Sequence, residues 1–217
     1  MAKYFSEYTN ECLIGIRFNN NKEWFHQNKA MYKEYVHEPI VELANNLYEK
    51  FHSFDNEFIE TPKVSRANRD IRFSKNKNPY KESKWFFLRG DGKIEIVYNK
   101  PTIVFEISPD CWRYGFFFGA TPKGMAEYRK KIDANVGAFK SIIDLYNSQD
   151  IFELSGDKYK RIFNKELPDD INDWAQRKSL TFLRYEDYNN AKFYSEDLVD
   201  VIFDNLKIIY PIYKYFL

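Results

Sequence analysis

Cysteine is almost absent: Cys12 and Cys111 are the only two in 217 residues, far apart and outside any CxxC pair. A disulfide framework and a structural zinc set are therefore excluded. The three histidines, His26, His37 and His52, are too widely spaced for a local chelate such as two histidines four apart on a helix. No metal site is expected. The eight glycines include no GxGxxG or GxxxxGK spacing, so no phosphate loop of that kind exists. Net charge is low as well, at +1, which argues against a general nucleic-acid coat. No apolar run approaches the roughly 20 residues of a membrane span. The first residues show no apolar stretch followed by a small-residue cleavage site. These shortages lead us to expect a soluble protein of a reducing compartment, most simply the cytoplasm.

What the chain does have is core material. Hydrophobic residues make up 44%, charged residues 30% and aromatics 19%, which is a globular composition. At this length a single domain over residues 1–217 is expected. Leu13, Ile14 and Ile16 form a short apolar run of helix or strand. Asn19, Asn20 and Asn21 then suit a turn and a helix N-cap. Phe25, Tyr32, Val36, Ile40, Leu43, Leu47 and Phe51 recur at helical spacing, and Pro39 should kink the helix or start a second one. Strand-like segments follow. Thr61, Pro62 and Lys63 read as a loop, residues 69–74 as an alternating strand, 76–79 as a loop and 84–89 as a strand. A turn at 90–92 and strands over 93–98, 101–108 and 114–119 complete the series. Thr121 with Pro122 opens a helix, and a second helix covers 135–146. Short strands are expected at 151–154, 159–163 and 179–185, with a helix around Trp174 and a last one capped by Ser195. Strands with short connections between helices at both chain ends predict α+β, with a central antiparallel or mixed sheet.

Charge is concentrated in one place. Between residues 63 and 81 there are seven Lys/Arg and one acid, Asp70, in a chain whose remainder is acidic. Arg forks and Lys ammonium groups neutralise oxyanions directly. The candidate site is Arg66, Arg69, Asp70, Arg72, Ser74, Lys75, Lys77, Tyr80 and Lys81. On a strand Asp70, Arg72 and Ser74 would share a face, with Asp70 orienting Arg72. Lys75, Lys77 and Lys81 would lie on a loop over a small anionic or phosphorylated ligand. The competing structural reading is a solvated edge with internal ion pairs. A second functional reading is a non-enzymatic interaction module docking a protein or nucleic acid. Phe73, Tyr80, Trp85, Phe86 and Phe87 interleave with the charges and could stack bases, although they suit a sheet core equally well. No catalytic residue, reaction or cofactor can be named. Cys111 reads as a packed thiol in a turn. Glu166, Asp169, Asp170 and Asp173 read as a solvated helix start rather than a Mg²⁺ site.

Two phrases carry a resemblance. Asn21-Lys22-Glu23-Trp24-Phe25 is followed by Lys29, Tyr32 and Pro39. Further on, Arg69-Asp70-Ile71-Arg72-Phe73-Ser74-Lys75 runs into Lys77-Asn78-Pro79-Tyr80-Lys81. Together they resemble the DUF2461 family of conserved hypothetical proteins, found in bacteria and lower eukaryotes. The likeness extends over nearly the whole chain and is looser after Thr121. It implies a single α+β domain and brings no activity, substrate or catalytic residue.

Overall fold

The computed structural model describes residues 4–89, 100–119 and 121–217. The expected turn at 90–92 and strand at 93–98 lie outside the described residues. In chain order the elements are α1 (Glu7–Phe18), α2 (Lys22–Gln27), α3 (Lys29–Tyr32), a π-helical turn (Lys33–His37), α4 (Glu38–Phe54), β1 (Thr61–Val64), β2 (Lys84–Arg89), β3 (Thr102–Ile107) and β4 (Trp112–Phe118). They continue with α5 (Pro122–Ala134), α6 (Val136–Asn147), β5 (Glu153–Ser155), α7 (Asp169–Ala175), β6 (Leu180–Glu186), a 3₁₀ turn (Ala191–Tyr194) and α8 (Leu198–Phe216). The strands hydrogen-bond in the order β1-β2-β3-β4-β6-β5, and β5 runs antiparallel to β6. The fold is α+β, as the alternation of patterns predicts.

Two compact units divide the chain: Met1–Leu88, Val104–Tyr114 and Tyr185–Phe203 form the first; Arg89–Ile103, Gly115–Arg184 and Asp204–Leu217 form the second. In the first unit Asn21 caps α2, its side chain accepting from the Trp24 amide at 2.9 Å. Pro39 follows the π turn at the start of α4, and the Tyr35 carbonyl four residues before it, which the missing Pro39 N–H cannot serve, accepts from the Thr9 hydroxyl at 2.8 Å. Of the predicted stripe, Phe25 is half-buried, and Tyr32, Val36, Ile40, Leu43, Leu47 and Phe51 are buried. Each such side chain contributes about 1.5–3 kcal/mol on burial, which anchors the less regular π turn between α3 and α4. Phe5 stacks on Phe193 at 4.7 Å and on Phe105 at 6.0 Å, centring the aromatic core of this unit. In the second unit Phe116 packs on Phe182 at 4.6 Å, Phe118 stacks on Phe216 at 4.7 Å, and Phe139 meets Trp174 edge-on.

Four expectations need correction. Residues 61–63 belong to β1, an edge strand, where Pro62 can sit without breaking a ladder. Residues 69–74 are not a strand. The Asp70 carboxylate accepts from the Arg72 amide at 3.2 Å, and this local bond competes with any ladder. Residues 159–163 are irregular, with Tyr159 and Phe163 covering the Arg129 guanidinium at 5.4 and 4.1 Å. The last helix begins at Leu198 rather than directly after Ser195; the Ser195 hydroxyl instead accepts from the Asp197 amide at 3.1 Å.

Candidate anion-binding site

The basic segment forms an irregular arm between the paired strands β1 and β2. Its base is closed by an antiparallel bridge between Asn68 and Tyr80. The Arg69 amide donates to the Pro79 carbonyl and the Lys81 amide to the Ala67 carbonyl, both at 2.8 Å. Asn20 fastens the arm to the turn before α2. Its side chain donates to the Tyr80 carbonyl at 3.1 Å and accepts from the Tyr80 amide at 3.0 Å, imitating a strand neighbour. Tyr80 is buried, and its ring stacks on Phe25 at 3.9 Å. The two resembling phrases, around Trp24-Phe25 and around Tyr80, thus meet in space. Asn20→Ala is expected to cost about 1–3 kcal/mol and to speed hydrogen exchange at the Arg69, Tyr80 and Lys81 amides. Unchanged exchange would mean that the Phe25–Tyr80 stack alone holds the arm.

The nine predicted residues do not converge as one group. Arg72 forms a two-pronged pair with Asp70 at 3.0 and 2.7 Å, both side chains largely in solvent. The guanidinium holds the Asp70 carboxyl down at about 2. Lys77 donates to the Ile71 carbonyl at 3.0 Å, closing the tip of the arm, and Lys75 is exposed beside it. Arg72, Ser74, Lys75 and Lys77 line neither of the two cavities at the base. Tyr80, packed on Phe25, lines neither cavity as well, and the cavities take the other four. Arg69, Asp70 and Lys81 border one of about 530 Å³, and Arg66 borders one of about 410 Å³.

The smaller cavity contains what sequence reasoning missed. Lys84 lines it, yet the residue is only 1% exposed. The burial alternation of β2 places Lys84 in phase with Phe86 and Leu88, on the face that enters the core. Its ammonium donates to the Ser65 carbonyl and lies 5.7 Å over the Tyr32 ring. Burial first, and the neighbouring Lys81 second, push its pKa down to about 8. Lys29 and Lys33 are exposed on the cavity wall, Phe25 and Tyr32 give it aromatic surface, and among the described residues no acid lines it. His37, from the π turn, also lines it. Its Nδ1 is buried without a hydrogen-bond partner, and burial followed by the Lys84 charge lowers its pKa. π turns recur at functional sites because they re-aim side chains.

Lys81 stands among these cations. It donates to the Arg66 and Asn68 carbonyls at 2.7 and 2.6 Å and lies 5.2 Å over Trp85. Burial, then Arg69, then Arg66, lower its pKa. In the larger cavity the carboxylates are engaged elsewhere: Asp70 by Arg72, Glu82 by Arg17 at 3.0 Å, and Glu106 by Arg113. Among the described residues Arg66, Arg69, Lys81 and Lys84 have no carboxylate partner. Of the other groups considered from sequence, Asp170 pairs with Lys140 at 2.5 Å, and Asp173 pairs with Lys158 and with Arg177 at 3.0 Å. No cluster of three or more metal-ligating side chains occurs among the described residues. Cys111 sits in the turn after β3 with Ser108, and Cys12 is buried, its thiol pushed up to about 12 by burial.

The family comparison agrees with the motif reading. The description "Conserved hypothetical protein (DUF2461)" matches residues 9–215. The chain belongs to the DUF2461 family. The match covers both resembling phrases, the arm, and every residue lining the Lys84 cavity. No curated protein matches this DUF2461 chain. No helix among its described residues is long and apolar enough to cross a membrane.

Proposed function

We propose that this DUF2461 protein binds a small anionic, or phosphorylated, ligand at the base of the arm, in the cavity shared by Arg66 and Lys84. One observation carries the reading. Arg66, Arg69, Lys81 and Lys84 have no carboxylate partner among the described residues; beside burial, the charges of Arg69 and Arg66 lower the Lys81 pKa and the Lys81 charge lowers that of Lys84. Like charges gathered at a cavity are relieved by an incoming oxyanion. Lys29 and Lys33 add charge at the wall, and Phe25 and Tyr32 suit an apolar or planar ligand body. Two free cysteines fit the reducing, cytoplasmic setting that goes with this reading.

The test is a thermal-shift series with inorganic phosphate, sulfate, small carboxylates and nucleotides. A ligand at about a hundred times its dissociation constant stabilises by roughly 2.7 kcal/mol. The shift should be lost in Arg66→Gln and kept in Arg72→Ala, whose pair with Asp70 lies in solvent. If no anion shifts the wild type, the reading fails.

The outer arm supports a second reading, an interaction module. Phe73 is 96% exposed with the Arg72 guanidinium 5.9 Å from its ring, and Lys75 and Lys77 flank the same tip. A salt-dependent complex with an oligonucleotide or acidic peptide, lost in Phe73→Ser and kept in Arg66→Gln, would favour it.

A further inference from the structure

We propose that Lys84 is a reactive amine that condenses with the carbonyl group of a small anionic aldehyde or ketone, an inference that rests on the anion-binding reading above. The cavity separates two kinds of cation. Lys29 and Arg66 are exposed and suited to hold an oxyanion at the wall, whereas Lys84 is buried and bonded only to the Ser65 carbonyl. Arginine cannot give up its proton in a protein and serves as a permanent anchor; a buried lysine can. A ligand anchored by its charge at Arg66 presents its other end to the Lys84 amine. The cavity, of about 410 Å³ with Phe25 and Tyr32 also in its wall, has room for a flat ligand body.

The surroundings of Lys84 favour the neutral amine that such a step needs. Lys81 lies close enough to oppose its charge, no carboxylate is there to hold the proton, and the strand fixes the side chain in the core. Lysines desolvated beside another cation are activated in this way as nucleophiles. The Nζ lone pair forms the new C–N bond while the carbonyl π pair moves to oxygen. The resulting carbinolamine then loses that oxygen, with the two protons first carried by nitrogen, as one water. The product is an imine, and no oxidant or reductant is consumed. His37, which lines the same cavity and whose Nδ1 has no partner, is placed to accept a hydrogen bond from the carbinolamine hydroxyl.

The test uses the full chain with stoichiometric pyridoxal 5′-phosphate, a flat aldehyde that carries its own phosphate, followed by borohydride reduction and peptide mapping. The expected result is a fixed adduct on Lys84 in preference to the exposed Lys29 and Lys33. Millimolar inorganic phosphate should suppress it, and Arg66→Gln should slow it roughly ten-fold, the effect of about 1.4 kcal/mol. Lys84→Met should give none while remaining folded. If label spreads over the exposed lysines while phosphate still raises the melting temperature, the amine proposal is overturned and the anion-binding reading survives. If Lys84 is labelled but neither phosphate nor Arg66→Gln changes the rate, the lysine is reactive and the anionic ligand is overturned.

Discussion

Gly115→Ala is expected to lower stability by about 3 kcal/mol or more, enough to unfold a marginal domain. Gly115 lies within β4 with φ +154°, and a Cβ there would stand 1.8 Å from the Phe182 carbonyl oxygen. The obstacle is backbone of the neighbouring strand β6, so no side-chain rotation can relieve it. Gly137→Ala makes the contrast. That glycine is helical, in the first turn of α6, and an added Cβ would meet only the Asn135 side chain at 3.8 Å. It should stabilise by about 0.5–1 kcal/mol, because alanine loses less backbone freedom on folding. Urea denaturation of the two variants measures both signs at once. A mild effect at Gly115 would mean that β4 can move away from β6, and that the strand pairing there is looser than the contact implies.

The difference between Gly115 and Gly137 was not legible in the sequence, since each is a lone glycine among apolar residues. What was legible followed periodicity. The stripe from Tyr32 to Phe51, the strand at 84–89 and the helix caps at Asn21 and Thr121 all appear where spacing and side-chain chemistry put them. The arm was legible as charge and misleading as structure. Alternation over Arg69–Ser74 looks like a strand, but Asp70 bonds locally to Arg72 and there is no ladder partner. Lys84 was within reach. A strand reading of residues 84–89 already puts Lys84 on one face with Phe86 and Leu88, and a lysine in phase with two buried apolar residues is the signal to follow. The density of positive charge does not mark it, because Lys84 lies three residues beyond the dense segment. His37 and Lys29 could not be assigned by pattern. They reach the cavity through the helix entry at Asn21 and the π turn, neither of which has a charge signature.

Lys84→Met is expected to make the protein more stable at pH 7, by about 2 kcal/mol, and less advantaged as pH rises. The ordinary lysine value near 10.5 holds in the unfolded chain, and burial brings Lys84 down to about 8 in the folded one. That displacement corresponds to roughly 3 kcal/mol of penalty for carrying the charge inside. Below pH 8 both states are protonated and the full penalty is present. Between 8 and 10.5 the unfolded chain binds one more proton than the folded one, so wild-type stability rises with pH. Methionine has similar bulk and no proton; it removes the penalty and leaves the Ser65 carbonyl without its donor, at a cost of about 1 kcal/mol. Chemical denaturation of both proteins at pH 7 and pH 10 should therefore show a gap that closes at the higher pH. A variant that is less stable at pH 7, with a gap independent of pH, would mean the folded protein carries the lysine charge without penalty, and the reason to expect a ligand there would go with it. A gap that closes identifies a charge the protein holds at its own expense beside a cavity. An anion at Arg66 or a carbonyl carbon at Nζ would each relieve that charge, the first by pairing with it and the second by removing it.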